Sequence, residues 1–95
     1  MRLSIVIPAL EEAAGITATL AALQPLRARG HEVIVVDGGS RDATLLMARL
    51  LADRALAAPA GRATQMNLGA RKATGDTLLF LHADSQLPER ALPAI

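Results

Sequence analysis

Residues 32–39, EVIVVDGG, decide the fold class that this sequence predicts. Val33 to Val36 are all β-branched, and the run ends at Asp37-Gly38-Gly39, residues that are typical of a turn. Because no polar residue alternates with the apolar ones, the pattern indicates a strand with both faces buried. Such strands are typical of parallel sheets that helices cover on two sides.

Other segments of the chain repeat this strand pattern. Leu3 to Ile7 is a short apolar run closed by Pro8, and Thr77 to Leu81 is a further one. A weaker strand is predicted around Ala55 to Ala58. The stretches between these runs are long enough for the helical crossovers that parallel strands need, and the crossovers are expected to be right-handed.

Apolar residues at helical spacing predict a helix between each pair of consecutive strands. The third helix is expected over Gly61 to Thr74. The order of strands and helices predicts an α/β fold, an open and mainly parallel sheet with helices on both faces. The apolar positions of the first helix are Ile16, Leu20 and Leu23, and those of the second, which form an apolar stripe, are Leu46 and Leu50.

The composition argues against several classes of protein. The chain has 95 residues, 52% of them hydrophobic and 20% charged, which suits one small globular domain. Phe80 is the only aromatic residue and the formal net charge is +1, so nucleic acid is not an expected partner. The absence of cysteine fits a reducing compartment. No apolar run approaches the roughly 18 residues that span a bilayer, so we expect a cytoplasmic protein without a transmembrane segment.

Polar residues follow each predicted strand. They lie at Pro8 to Glu12, at Asp37 to Asp42, at Arg62 and at His82 to Asp84. Because the carboxyl ends of parallel strands meet at one edge of a sheet, we expect these side chains to surround one ligand.

Each of these residues has a functional and a structural interpretation. Asp37 can accept hydrogen bonds from a ligand while Gly38 and Gly39 let that ligand approach the backbone, or the three residues form an ordinary turn. Glu12 is a ligand-binding candidate or a solvated residue at the start of a helix. Arg62 is a forked donor to a base carbonyl or a phosphate, or a surface arginine.

His82 and Asp84 extend the last strand and lie two residues apart, so both side chains point to the same side. Together they could hold a divalent cation. Oxygen ligands suit Mg²⁺ or Mn²⁺, and an imidazole favours Mn²⁺. Alternatively, Asp84 caps the turn before Leu87-Pro88.

Four segments, SIVIPALEE, VIVVDGGSRDAT, GRATQMNLGARKATGD and LLFLHADSQLP, together resemble the N-terminal half of the family 2 inverting glycosyltransferases, which have the GT-A fold. They follow the family's order over nearly the whole chain. Two phrases, GRATQMNLGA and FLHADSQLP, are most similar to the radical-SAM/selenodomain-associated transferases, a bacterial subgroup.

The resemblance implies a nucleotide-sugar donor, a UDP-sugar, and a divalent cation, Mn²⁺ or Mg²⁺. Asp84 matches the second acidic residue of the family's Asp-x-Asp metal motif, and His82 stands in place of the first. Glu11 stands where most members have asparagine. The residues implied in binding the nucleotide are Pro8, Ala9, Glu12, Asp37, Gly39 and Arg62.

The resemblance also implies that residues 1–95 form a single nucleotide-sugar-binding subdomain that is truncated at its C-terminus. The family's catalytic base and acceptor site lie after the metal motif, so no residue here is assigned as the base, and the acceptor is unknown. A homo-oligomer could cover the open sheet edge. The alternative function is a non-catalytic nucleotide-binding or assembly module derived from this fold.

Overall fold

The computed structural model describes residues 1–83, and in this part of the chain strands and helices alternate as the sequence predicts. The α/β fold class is therefore confirmed. In chain order the elements are β1 (Leu3–Ala9), α1 (Ala13–Ala28), β2 (Glu32–Asp37), α2 (Thr44–Leu51), β3 (Arg54–Ala57), α3 (Arg62–Lys72) and β4 (Thr77–Phe80).

The strands form one parallel sheet in the order β3-β2-β1-β4. β1 lies in the centre, with Ile5 paired to Val33 of β2 on one side and to Leu79 of β4 on the other. β2 is also paired on both edges, since Ile34 lies opposite Arg54 of β3. The two β-branched strands are thus the inner strands of the sheet, which explains why both lack a polar face.

The helices cover the sheet unequally. Helices α1 and α2 pack on one face, where they share a core with alternate residues of β1 and β2. Within residues 1–83, helix α3 is the helix that packs on the other face, against a smaller core formed by Val6, Ile34 and Val36. The larger core is centred on Ile5, Ile7, Ile16, Leu20, Leu23, Leu26, Val33 and Val35.

The apolar stripe predicted for α2 is wrong. Leu46 and Leu50 are 61% and 75% exposed, and the buried side of α2 is instead formed by Thr44 and Ala48. Helix α2 has the sequence TLLMARLL, which is apolar on more than one side. The hydrophobic spacing therefore could not distinguish the inner face from the outer one.

Gly69 allows α3 to lie close to the sheet. It is buried, and a Cβ at this position would lie 2.3 Å from Cγ1 of Val6 and 3.2 Å from Cγ2 of Val36. Real Cβ atoms essentially never lie within 3.0 Å of another heavy atom, so the contact with Val6 is the one that excludes a side chain here. The contact between the helix backbone and the β-branched strands therefore requires glycine here.

A buried carboxylate, that of Glu32, connects the strands at their amino ends. Its Oε1 accepts hydrogen bonds from the Ser4 hydroxyl at 2.7 Å and from the Thr74 N–H at 2.9 Å, and its Oε2 accepts one from the Thr74 hydroxyl at 3.0 Å. The guanidinium groups of Arg54 and Arg2 lie 3.6 and 4.0 Å from Oε2. One side chain thereby joins β1, β2, β3 and the segment before β4.

These contacts decide the ionisation of Glu32. Burial on its own would raise the pKa of the carboxyl, but the hydrogen bonds from Thr74 and Ser4 and the charge of Arg2 together lower the pKa below its ordinary value. Glu32 is therefore held as a carboxylate, and its charge contributes to the stability of the folded chain.

Strand β4 lies at one edge of the sheet within residues 1–83. Leu78 and Phe80, which face the α3 side, are 43% and 40% exposed. The homo-oligomer expected at this edge stays a prediction. Within the same described residues, no helix combines the length and the apolarity needed to cross a bilayer.

We predict that Gly69→Ala destabilises the chain. At an unobstructed helical position this change would stabilise by roughly 0.5–1 kcal/mol, whereas overpacking against Val6 costs about 1–3 kcal/mol. Urea denaturation should therefore show a lower free energy of unfolding. Arg71→Ala, an exposed change on the same helix, is the control, and a Gly69→Ala chain as stable as this control would contradict the close contact.

We predict that Glu32 makes stability depend on acid pH. Because its pKa is lowered in the folded chain, its contribution is complete above the unfolded value of about 4.3 and is lost as the pH falls through the folded value. Urea midpoints measured from about pH 7 to about pH 3 should fall less steeply for Glu32→Gln than for the wild type. If the urea midpoints of the two chains fall in parallel with pH, Glu32 contributes nothing to the loss of stability in acid.

Candidate functional site

A cavity of about 370 Å³ opens beside the sheet, at the carboxyl ends of its parallel strands. It is formed by the end of β1, the segment before α1, the start of α3 and the segment after β4. Its lining residues are Pro8, Ala9, Leu10, Glu12, Gly61, Arg62, Gln65, His82 and Ala83.

The strand order explains why the cavity lies here. From β1 the chain builds β2 and β3 outward on one side, and α3 then carries it back over the opposite face to β4 on the other side. The direction of sheet growth therefore changes between β1 and β4. Open α/β sheets bind ligands at such a change of direction, outside the carboxyl ends of the strands.

Most of the candidate residues from the sequence meet in this cavity. Pro8 and Ala9 are at the end of β1, Glu12 precedes α1, Arg62 is the first residue of α3, and His82 follows β4. Nη1 of Arg62 lies 3.4 Å from Nε2 of His82. The cavity thus combines a guanidinium, a carboxylate and an imidazole from separate segments. Asp84, the other candidate metal ligand, lies outside the described residues.

Asp37 and Gly39 lie at the same edge of the sheet but do not line the cavity. The Asp37 carboxylate is buried and accepts hydrogen bonds from the N–H groups of Gly39 and Ser40 and, at 2.5 Å, from the Ser40 hydroxyl. Gly39 has a φ of +99°, which this turn requires. The structural interpretation, an ordinary turn, accounts for both residues here, and their contact with a ligand stays a prediction.

Gly38 also makes a close packing contact within the chain. A Cβ at Gly38 would lie 2.8 Å from Oε1 of Gln65, so the missing side chain leaves room for a buried side chain of this protein. Access of a ligand to the backbone is therefore not needed to explain this glycine.

The loops after β1 and β2 are joined by hydrogen bonds in both directions. The N–H of Glu11 donates to the Ser40 hydroxyl at 2.8 Å, and the N–H of Arg41 donates to Oε1 of Glu11 at 2.7 Å. Glu11 has a φ of +52°, a conformation that asparagine adopts more readily than glutamate. The two hydrogen bonds hold Glu11 in this conformation, and they fix the loop that carries Leu10 and Glu12.

A second contact between the same loops involves Asp42 and Thr44. The Thr44 hydroxyl donates to Asp42 and accepts a hydrogen bond from the N–H of Glu12 at 2.9 Å, and the N–H of Ala13 donates to Asp42 at 3.1 Å. The hydrogen bond from the Thr44 hydroxyl, with those from the N–H groups of Thr44 and Ala13, lowers the pKa of Asp42. Asp42 therefore positions the start of α1, next to Glu12.

The segment after β4 is fixed by α1. The Thr19 hydroxyl donates to the Ala83 carbonyl at 2.7 Å, and the Ala83 side chain is buried in the larger core. This contact holds Ala83 beside the cavity and leaves His82 exposed next to Arg62.

Gln65 is a cavity residue that the sequence reasoning missed. It is 4% exposed, and its carboxamide bonds the carbonyls of Ala9 and Val36 and the N–H of Gly61. A signal was present in the sequence, since Gly61, Gln65 and Gly69 follow one another at intervals of four and share one side of α3. A glutamine between two glycines on the buried side of a helix indicates a close polar contact.

Comparison with known proteins identifies the family. The family model described as Glycosyl transferase family 2 matches residues 4–95. A curated relative, the PGL/p-HBAD biosynthesis glycosyltransferase of Mycobacterium bovis, is 39% identical over 93 residues, which cover 90% of this chain and 36% of the relative. The chain therefore spans about a third of the length of this relative.

Solved structures with a similar fold are nucleotide-sugar transferases. The mannosyltransferase PcManGT from Pyrobaculum calidifontis, in complex with GDP-Man and Mn²⁺, is 28% identical with a TM-score of 0.84, over 98% of this chain and 30% of that one. Glucosyl-3-phosphoglycerate synthase from Mycobacterium tuberculosis, in complex with Mn²⁺, UDP and glucosyl-3-phosphoglycerate, is 29% identical with a TM-score of 0.72, over 86% of this chain and 33% of that one.

These similarities confirm the GT-A fold that the sequence motifs implied. They do not address the radical-SAM/selenodomain-associated subgroup, which stays a prediction. Because the family match covers nearly the whole chain, and the curated relative agrees with it, the chain belongs to glycosyl transferase family 2.

Proposed function

We propose that this chain supplies the donor-binding part of an enzyme that transfers a sugar from a nucleotide-sugar, a UDP-sugar, to an acceptor hydroxyl with inversion. The observation that carries the proposal is the cavity between β1 and β4, where Arg62, Glu12 and His82 come together. The nucleotide complexes of PcManGT and of the mycobacterial synthase support the same class of ligand.

Within the cavity, Arg62 is the residue we assign to the negative charge of the donor. Its guanidinium provides several N–H donors in one plane, which matches the oxygens of a diphosphate or a base carbonyl. Arg62 is exposed and begins α3, so the N–H groups of the first turn lie beside it. Both features favour an anionic ligand at this end of the cavity.

The nucleoside is assigned to the opposite wall. Pro8, Ala9 and Glu12 would contact the base and ribose, with the Glu12 carboxylate accepting hydrogen bonds from N–H or hydroxyl groups. Asp37 and Gly39 stand beside this wall. Asp37 could bind the donor if the Ser40 hydroxyl exchanges its hydrogen bond for one with the ligand.

The proposed cation site depends on Asp84, which lies outside the described residues. Among residues 1–83, no group of three His, Asp or Glu side chains is arranged to hold a metal ion. Glu12 and His82 line the cavity, and an acidic residue two positions after His82 would add a carboxylate to the imidazole, a donor set that suits Mn²⁺ or Mg²⁺. We therefore assign Asp84 and His82 to the cation, which would neutralise charge on the leaving diphosphate.

The reaction proposed for the whole enzyme is an in-line displacement at the anomeric carbon, in which a carboxylate removes the proton of the acceptor hydroxyl. We assign no residue of this chain as that base. Asp42 is engaged by Thr44 and Ala13, and Asp76 accepts a hydrogen bond from the N–H of Arg2 at 3.1 Å, at the amino edge of the sheet. The residues of this chain bind and orient the donor.

We predict that UDP in the presence of Mn²⁺ raises the melting temperature of the chain, because a ligand that binds only the folded state stabilises it. Arg62→Gln removes a charged hydrogen-bond donor and should weaken UDP binding about tenfold or more by calorimetry. Arg71→Gln removes an exposed arginine at the other end of α3 and should bind UDP as the wild type does. A wild-type chain that shows neither heat of binding nor a thermal shift would overturn the proposal.

We predict that the UDP-dependent stabilisation requires a divalent cation. Adding EDTA should reduce the thermal shift, and Asp84→Asn should make the shift the same with and without Mn²⁺, because a neutral amide is a weaker ligand for a hard cation. Asp76→Asn, at the opposite edge of the sheet, is the matched control and should keep the Mn²⁺ dependence. If Asp84→Asn also keeps it, the assignment of Asp84 to the cation is wrong.

A further inference from the structure

We propose that Gln65 is the positioning residue that fixes Arg62 relative to the end of β1, and that it controls nucleotide affinity through Arg62. This role rests on the proposed donor-binding function. Gln65 lies in the first turns of α3, three residues after Arg62, and both residues line the cavity.

The carboxamide of Gln65 uses both of its N–H bonds on the sheet. Nε2 donates to the Ala9 carbonyl at 3.0 Å and to the Val36 carbonyl at 2.8 Å. The Ala9 carbonyl also accepts the N–H of Gly38 at 2.9 Å. Gln65 thus occupies the point where β1 and β2 separate, and it supplies a donor to strand carbonyls that lie at the end of the ladder.

The other side of the carboxamide holds the start of α3. Oε1 of Gln65 accepts a hydrogen bond from the N–H of Gly61 at 3.1 Å, and Gly61 has a φ of +140°. Gly61, which directly precedes α3, has no side chain of its own to cap the helix. Gln65 therefore connects the residue directly before Arg62 to the ends of both inner strands.

Packing makes this connection rigid. Gln65 is buried, and its carboxamide lies against Gly38, where even one added carbon would approach Oε1 to 2.8 Å. Arg62, in contrast, is exposed, and its guanidinium has Nε2 of His82 as a neighbour at 3.4 Å. The position of the Arg62 backbone is therefore set by Gln65, and the reach of the guanidinium into the cavity follows from it.

A double-mutant cycle tests this role. We would measure UDP binding by calorimetry, with Mn²⁺ present, for the wild type, Gln65→Met, Arg62→Gln and the double variant, at a temperature where circular dichroism shows each of them folded. Methionine fills a similar volume without the hydrogen bonds. Gln65→Met should weaken UDP binding about tenfold in the wild type and less than about twofold in the Arg62→Gln background, because coupled residues are not additive.

Gln24 provides a matched control. Its carboxamide also donates to two carbonyls, those of Leu20 and Leu51, and accepts from Arg27, but it lies on α1 away from the cavity. Gln24→Met should leave UDP affinity unchanged. If Gln24→Met weakens UDP binding as much as Gln65→Met does, the effect is a general one of losing such hydrogen bonds, and the specific role of Gln65 is overturned.

A second variant reaches the same contact from the other side. Gly38→Ala would push the carboxamide of Gln65 without changing Gln65 itself, and it should also weaken UDP binding only when Arg62 is present. This variant decides the question if Gln65→Met does not fold. If Gly38→Ala lowers UDP affinity equally with and without Arg62, the positioning role is overturned. A wild-type chain that does not bind UDP would instead overturn the proposed function itself.

Discussion

The structure depends on hydrogen bonding along both edges of β1. The central strand pairs with β2 and with β4 in parallel, so its side chains are enclosed by helices on one face and by α3 on the other. A strand in this position has no polar side. Its end is also where sheet growth changes direction, and the cavity opens there, beside the segments that leave β1 and β4.

Two buried polar side chains stabilise the sheet, one at the amino ends of its strands and the other at their carboxyl ends. At the amino edge, Glu32 gathers the Ser4 hydroxyl and the N–H and hydroxyl of Thr74 around a carboxylate. At the carboxyl edge, Gln65 joins two strand carbonyls to the start of α3. In both cases the polar groups satisfy one another, so the buried polar side chains connect separate elements without leaving unpaired atoms among residues 1–83.

The sequence was sufficient for the order and type of the elements because β-branched runs and glycine-rich turns are local signals. It also brought Pro8, Ala9, Glu12, Arg62 and His82 to one edge, since a parallel sheet places all such segments together. It failed for Leu46 and Leu50 because α2 is apolar on more than one side. The contact between Gly38 and Gln65 joins residues far apart in the chain, and only the packing of α3 on the sheet reveals it.

The exposed N-terminus offers a practical advantage. Met1 is 75% exposed and lies just before β1, at the end of the strand opposite the cavity. The seven residues of β1 separate it from that cavity by roughly 20 Å, at about 3.3 Å per residue. A purification tag or a surface attachment joined to Met1 therefore leaves the opening of the cavity accessible to solvent, so that ligands can be exchanged over an immobilised chain.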